Sequence, residues 1–135
     1  MVYTQRKTIQ TEQNSITSIT EEVDAVLVAS GIRNGILVVE TPHSTAGILR
    51  TTEKAKSAHK DLMYDIKRLV PSRVDFVHKE SPDDAAGHIK CALFGTSVSA
   101  IIQDGKPVSD KKLGYFFVEY DGPRARTYYI SIVGE

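Results

Sequence analysis

The chain has 135 residues, of which 41% are hydrophobic and 25% charged, and its 17 basic residues balance 17 acidic ones. That composition predicts one globular domain over residues 1–135 with a core of its own. Net neutrality excludes a general electrostatic pull toward nucleic acid or an anionic membrane. The single cysteine, Cys91, forms no intramolecular disulfide, the first residues lack the apolar segment of a signal peptide, and no apolar run nears the ~18 residues of a membrane span; the expected location is the cytoplasm.

Residues 2–10 are rich in β-branched and aromatic types and contain neither Gly nor Pro, which predicts an opening strand, followed by a polar connector through Asn14. Thr20 suits a helix N-cap, with Glu21 and Glu22 in the first turn, Val23, Val26, Leu27 and Ser30 on the inward stripe, and Gly31 as the stop. Asn34-Gly35 reads as a turn and Ile36 to Glu40 as a strand buried on both faces. It delivers Pro42 and His43, then Ser44-Thr45-Ala46-Gly47, whose small side chains would let backbone N–H groups approach a ligand; a tight connection without ligand is the plainer reading.

From Glu53 to Leu69 apolar and charged positions recur at helical spacing, with Ala58, Leu62, Ile66 and Leu69 inward, and Val70-Pro71 ends the helix. Asp61 and Asp65 share a face that suits a cation, but Lys60, Lys67 and Arg68 favour a solvated surface. Val74 to His78 reads as a strand. Ser81 fits an N-cap before Pro82, and a helix to Phe94, stopped at Gly95, places Asp84 and His88 on one face at i, i+4. Asp84 would then orient the imidazole and set its tautomer. Cys91, one turn further on, suits either a ligand or a small core residue.

Val98 to Ile102 reads as a strand, Asp104-Gly105 as a hairpin turn, and Gly114 to Tyr120 as a strand alternating Tyr115, Phe117 and Glu119 against Phe116, Val118 and Tyr120. The interruption Asp121-Gly122-Pro123-Arg124-Ala125-Arg126 carries two arginines, either a phosphate or carboxylate clamp or a solvated turn, and Thr127 to Val133 closes the chain as a strand. This element order predicts an α+β fold with three helices and a mixed or antiparallel sheet. His43, His78 and His88 each fall at an element boundary. Three such imidazoles suit a divalent transition metal with open positions, zinc foremost, although each alone is an ordinary surface or core histidine.

From the second strand onward the chain resembles the YjbQ family, often labelled secondary thiamine-phosphate synthase. The resemblance rests on Pro42-His43-Ser44-Thr45-Ala46-Gly47, Val70-Pro71, His78, Asp83-Asp84-Ala85-Ala86-Gly87-His88-Ile89-Lys90, Leu93-Phe94-Gly95-Thr96-Ser97, Gly105, Leu113-Gly114 and Asp121 to Arg126. It implies a small trimeric α+β fold with an inter-subunit pocket whose histidines, here His43, His78 and His88, hold a metal, and an arginine here at Arg124. The chain departs from the family pattern at Lys79, where an aspartate is usual, at Ser44 in place of threonine, and at Tyr115-Phe116 in place of a tryptophan. It keeps Glu53 without the flanking asparagine and Asp-Pro.

The resemblance implies joining a pyrimidine diphosphate to a thiazole phosphate. The leaving pyrophosphate would be stabilised by a metal, Arg124 and the backbone donors of Ser44, Thr45 and Gly47, with Glu53 or Glu80 as base. The alternative is a non-catalytic homotrimer that binds a metal or a small phosphorylated metabolite.

Overall fold

A computed structural model describes residues 1–79, 81–110 and 113–135; Glu80, one of the two expected bases, lies outside the described residues. The elements in chain order are β1 (Val2–Gln10), β2 (Ser15–Ser18), α1 (Thr20–Ser30), β3 (Gly35–Glu40), β4 (Ala46–Thr52), α2 (Lys56–Leu69), α3 (Pro82–Phe94), β5 (Ser97–Gln103), β6 (Lys106–Pro107), β7 (Leu113–Glu119) and β8 (Ala125–Gly134). A five-stranded sheet runs β1-β8-β3-β5-β6 and a three-stranded sheet β2-β7-β4, with every described pairing antiparallel. The fold is therefore α+β with three helices, and the open choice of sheet type resolves to antiparallel.

The alternation in β7 explains the layering. Tyr115 and Phe117 face α1 and the inner side of the five-stranded sheet, packing with Val23, Leu27, Leu37, Ile130 and Ile132. Val118 and Tyr120 face the other way, onto Ile66 of α2 and Cys91 of α3. Each strand residue thus meets a different layer from its neighbour, which is why β7 is buried on both sides. Cys91 is a core residue whose thiol points at His43 O, 3.6 Å away.

Local signals hold where the chemistry is backbone-specific. Gly31 adopts φ 68° at the end of α1, and the two-residue turn Asp104-Gly105, with φ values of 53° and 79°, joins β5 to β6. Thr20 begins α1 but does not cap it. Instead its hydroxyl accepts the Tyr115 N–H at 3.0 Å. α2 starts at Lys56, because the segment before it is β4, which pairs with β7 from Ala46↔Glu119 to Thr52↔Leu113. Its inward stripe keeps Ile66 and Leu62, while Leu69 is exposed.

Two strand expectations are corrected. β3 is buried on one face only: Leu37 and Val39 are inside, whereas Ile36 and Val38 point outward. An uninterrupted apolar run can mean a second partner surface outside the chain as well as burial within it. The segment Val74 to His78 is a loop, with Phe76 turned into a small cluster with Val70, Ala85 and Ala86, while Val74 and Val77 lie exposed. Among the described residues no strand pairs with its backbone, so β propensity alone does not make it a strand.

Candidate metal centre

The centre is built by α3 and the loop before it. Ser81 Oγ accepts the Asp84 N–H at 3.1 Å and Pro82 takes the first helical position, so the helix starts where its own capping residues place it. The loop is tied down at several points. Ser72 Oγ donates to Asp83, Gln13 Nε2 donates to the same carboxylate at 2.7 Å, and the Arg73 guanidinium lies 4.1 Å from the Phe76 ring centroid while pairing with Asp75 at 2.8 Å. Those contacts carry His78 over the first turn of α3.

There His78 Nε2 stands 2.8 Å from Asp84 Oδ2, and His88 Nε2 stands 3.2 Å from the same oxygen. The two imidazoles meet edge to face with centroids 5.0 Å apart, and the three ligand-type atoms lie within 4.8 Å of one another. Burial would raise the Asp84 pKa, but the hydrogen bond from His78 and the His88 charge outweigh it, and the carboxyl is held below its ordinary value. Both histidines remain substantially exposed while Asp84 is mostly covered. Two imidazole nitrogens and a carboxylate oxygen on an open wall fit a divalent transition ion with free positions. Such an ion would take the place of the polar contacts that Asp84 now makes with the two rings.

A cleft of about 610 Å³ opens beside the cluster, lined by Arg73, Phe76, Val77, His78, His88 and Ile89. Arg124, half-exposed, donates to Asp121 at 2.7 Å and places Nη2 3.8 Å from Asp84 Oδ1, so a fixed cation borders the centre. Arg73 carried no distinguishing signal in the sequence, since an arginine in a Pro-Ser-Arg loop is ordinary surface composition. Its place in the cleft follows from Phe76.

The other expected site residues are placed differently. His43 lies outside the group formed by His78, Asp84 and His88 among the described residues. Its Nε2 accepts the Thr127 N–H at 2.9 Å, leaving only Nδ1 for another partner. Burial first, and then the Arg126 charge, hold its pKa below the ordinary histidine value. Thr45 is buried, with Oγ1 accepting from Arg126 Nη2 at 2.7 Å, and Gly47 is buried where a Cβ would stand 2.8 Å from Gly95 O. Of the three residues expected to face a ligand there, only Ser44 is exposed. Glu53 sits in another part of the molecule, accepting from the hydroxyls of Ser18 and Thr20.

The two arginines of the Gly-Pro turn also separate. Arg124 points to the centre, whereas Arg126 is 4% exposed and turned inward onto Glu119, which is 0% exposed. Alternation along β8 puts neighbours two apart on the same face, so an inward Arg126 was readable from the buried Tyr128, Ile130 and Ile132 that follow it.

A family model described as UPF0047 protein YjbQ-like matches residues 5–135. The UPF0047 protein MJ1081 of Methanocaldococcus jannaschii is 37% identical over 124 residues, covering 92% of this chain and 88% of that protein. UPF0047 protein YugU of Bacillus subtilis is 31% identical over 131 residues, covering 95% and 98%. Among solved structures, a YbjQ-like protein of unknown function from Sulfolobus solfataricus superposes with a TM-score of 0.93 at 29% identity, covering 100% of this chain and 99% of that one. A YjbQ/UPF0047 protein of Clostridium acetobutylicum gives 0.88 at 31%, covering 95% and 98%. With the family model spanning all but the first few residues and relatives above 30% identity over nearly the whole chain, this protein belongs to the UPF0047 family of YjbQ-like proteins.

Proposed function

We propose that the chain is a cytoplasmic metal-dependent enzyme acting on a small phosphorylated substrate. His78, Asp84 and His88 hold a divalent ion, zinc first, and Arg124 takes a phosphate oxygen. The observation that supports this reading is the convergence of His78 Nε2, His88 Nε2 and Asp84 Oδ2, with Arg124 Nη2 3.8 Å from Asp84 Oδ1, on the wall of a cleft. When bound, such an ion supplies Lewis-acid stabilisation of charge on phosphate oxygens. Arg124 uses one nitrogen on Asp121 and keeps further N–H donors for substrate, a geometry that suits a phosphate better than a lysine would. Phe76, Val77 and Ile89 offer the apolar surface for the organic part of the substrate.

Within this class the family resemblance favours formation of thiamine phosphate, with pyrophosphate leaving. The second reading, a metal- or phosphometabolite-binding protein without turnover, has an observation of its own. Both described carboxylates by the cleft are engaged, Asp84 with the histidines and Asp75 with Arg73, so neither is free to act as a base. Titrating zinc-loaded protein with pyrophosphate separates these outcomes from no site at all. Arg124→Lys should weaken pyrophosphate about tenfold, ~1.4 kcal/mol. Because the Arg124 side chain is half-exposed and lysine keeps a positive charge beside the buried Asp121, unfolding should change by less than about 0.5 kcal/mol. An unchanged affinity removes Arg124 from the site, and tight pyrophosphate binding without product formation from the two phosphorylated precursors favours the binding protein.

We also infer a homotrimer, the number three coming from the family resemblance. Its support is the outer face of the five-stranded sheet, where Val2, Val133, Ile36 and Ile101 are in cross-strand register and are 66%, 53%, 54% and 64% exposed. A row of four apolar side chains across a sheet is a surface that copies of the same chain can cover. Sedimentation equilibrium should give three chain masses, and Ile101→Glu should shift the mass toward one. A wild-type monomer at micromolar concentration would refute the assembly.

A further inference from the structure

A small pocket of about 150 Å³ adjoins the cleft beside the histidines, lined by Arg73, Val74, Phe76, His78, Lys79 and Pro82. Arg73, Phe76 and His78 line the larger cleft as well, so the two spaces meet across these three side chains. The small pocket has the volume of about five water molecules, room for one phosphate or carboxylate group but not for an organic ring beside it. Among the described residues the charged side chains on its wall are both basic, Arg73 and Lys79. The nearby carboxylates are engaged elsewhere. Asp75 lines the cleft and not this pocket, Asp83 accepts from Ser72 and Gln13, and Asp84 contacts the two histidines.

Both cations are held in position by the loop itself. The Arg73 guanidinium stacks 4.1 Å from the centroid of Phe76, a buried ring anchored among Val70, Ala85 and Ala86. An aromatic face fixes the plane of a guanidinium and takes none of its in-plane N–H donors. Asp75 approaches Arg73 at Nε, 2.8 Å away, and among the described residues the two Nη groups make no hydrogen bond. Lys79 Nζ donates to Phe76 O at 3.3 Å, which uses one of its three N–H donors, and among the described residues it has no ion pair. A planar fork and an ammonium with unused donors on one small wall suit a single oxyanion. The two positive charges repel each other until an anion lies between them.

We infer that this pocket takes a second anionic group of the substrate, held by Arg73 and Lys79. The inference rests on the reading of the metal centre given above. The substrate then carries two separated anionic groups: a phosphate at the metal and Arg124, a phosphate or carboxylate at Arg73 and Lys79, and between them an apolar body lying over Val77 and Ile89 in the cleft.

The probes are α,ω-alkane bisphosphonates of increasing chain length, each compared with the alkyl monophosphonate of the same length by calorimetric titration of the zinc-loaded protein. The matching ω-phosphonocarboxylates tell a phosphate from a carboxylate at the second position. At one chain length or more the bisphosphonate should bind about tenfold tighter than its monophosphonate, the scale of added charge-assisted hydrogen bonds. Arg73→Gln and Lys79→Gln should each cut that gain below about threefold and leave the monophosphonate affinity as in the wild type. If Arg73→Gln loosens the loop, seen as a lower melting temperature, Lys79→Gln decides, because Lys79 is exposed and gives up one backbone contact only. The inference is overturned if neither a bisphosphonate nor a phosphonocarboxylate gains about threefold over its monophosphonate, the result that merely solvated cations give, or if the gain persists in Lys79→Gln. Failure of the metal centre reads differently: monophosphonate affinity is then unchanged by removing zinc and by Arg124→Lys, whereas the gain at the second position is still decided by its own two variants.

Discussion

Glu119→Gln is expected to destabilise the protein by about 3–5 kcal/mol at neutral pH, the largest stability loss of any single substitution considered. Glu119 and Arg126 are buried together between the sheets, joined at 2.7 Å through Nε and 2.5 Å through Nη2. The carboxylate also accepts from Thr11 Oγ1 at 2.6 Å and from the Asp121 N–H at 3.1 Å, while Arg126 reaches on to Thr45. Gln cannot compensate the guanidinium, so the charge of Arg126 stays in a dry site without its counter-ion. Chemical denaturation measures the loss. The double variant Glu119→Gln with Arg126→Met should recover part of it, because both charges are then gone.

The same pair has a pH signature. Burial by itself would raise the Glu119 pKa, but the hydrogen bonds from Arg126 and Thr11, the Arg126 charge and the Asp121 N–H outweigh it, and the net shift is below the ordinary 4.5. A carboxyl with a depressed folded-state pKa contributes stability that is present above its unfolded pKa and is lost as pH falls through the folded value. Wild-type stability should therefore drop on acidification below about pH 4.5, and that limb should flatten in Glu119→Gln. Wild-type stability and an unchanged acid limb in the variant would show that the pair does not hold the sheets together.

The second large effect concerns the metal. His88→Ala and Asp84→Asn should each lower zinc affinity at least about 100-fold, or ~2.8 kcal/mol, as read by competition with a chromophoric chelator. The metal-free His88→Ala protein should unfold within about 1 kcal/mol of wild type, since the ring stands on an open wall. Zinc should raise the melting temperature of the wild type and not of the variants, because only binding to the folded state stabilises it. His43→Gln tests a wider ligand set. A comparable loss there adds His43 Nδ1 to the ligands, and wild-type affinity restricts them to His78, Asp84 and His88. Equal zinc affinity in all variants would end the proposal of a metal centre here.

Much of this architecture is legible in the chain because the forces that set it are local. Ser81-Pro82 starts α3, Gly31 and Gly95 end α1 and α3, and Asp104-Gly105 turns the hairpin, since each needs only the conformational range of one or two residues. The pairing of Asp84 with His88 belongs to the same class, as helical spacing alone brings i and i+4 together.

Tertiary contacts decided the rest. His78 reaches Asp84 only because Ser72, Gln13 and Phe76 anchor a loop that propensity reads as a strand. Arg124 and Arg126 stand two apart and would share a face of one strand, yet one borders the centre and the other is buried, since β8 begins only at Ala125: Arg124 belongs to the turn, its backbone tied to Thr11, while Arg126 points between the sheets onto Glu119. Glu53 was expected near the histidines and stands instead by Tyr115, because β4 is a strand paired with β7 and carries it to another face of the molecule. Local sequence determines backbone conformation within a few residues. Which side chains share a cavity depends on register and packing between segments far apart in the chain, and no window of sequence contains that information.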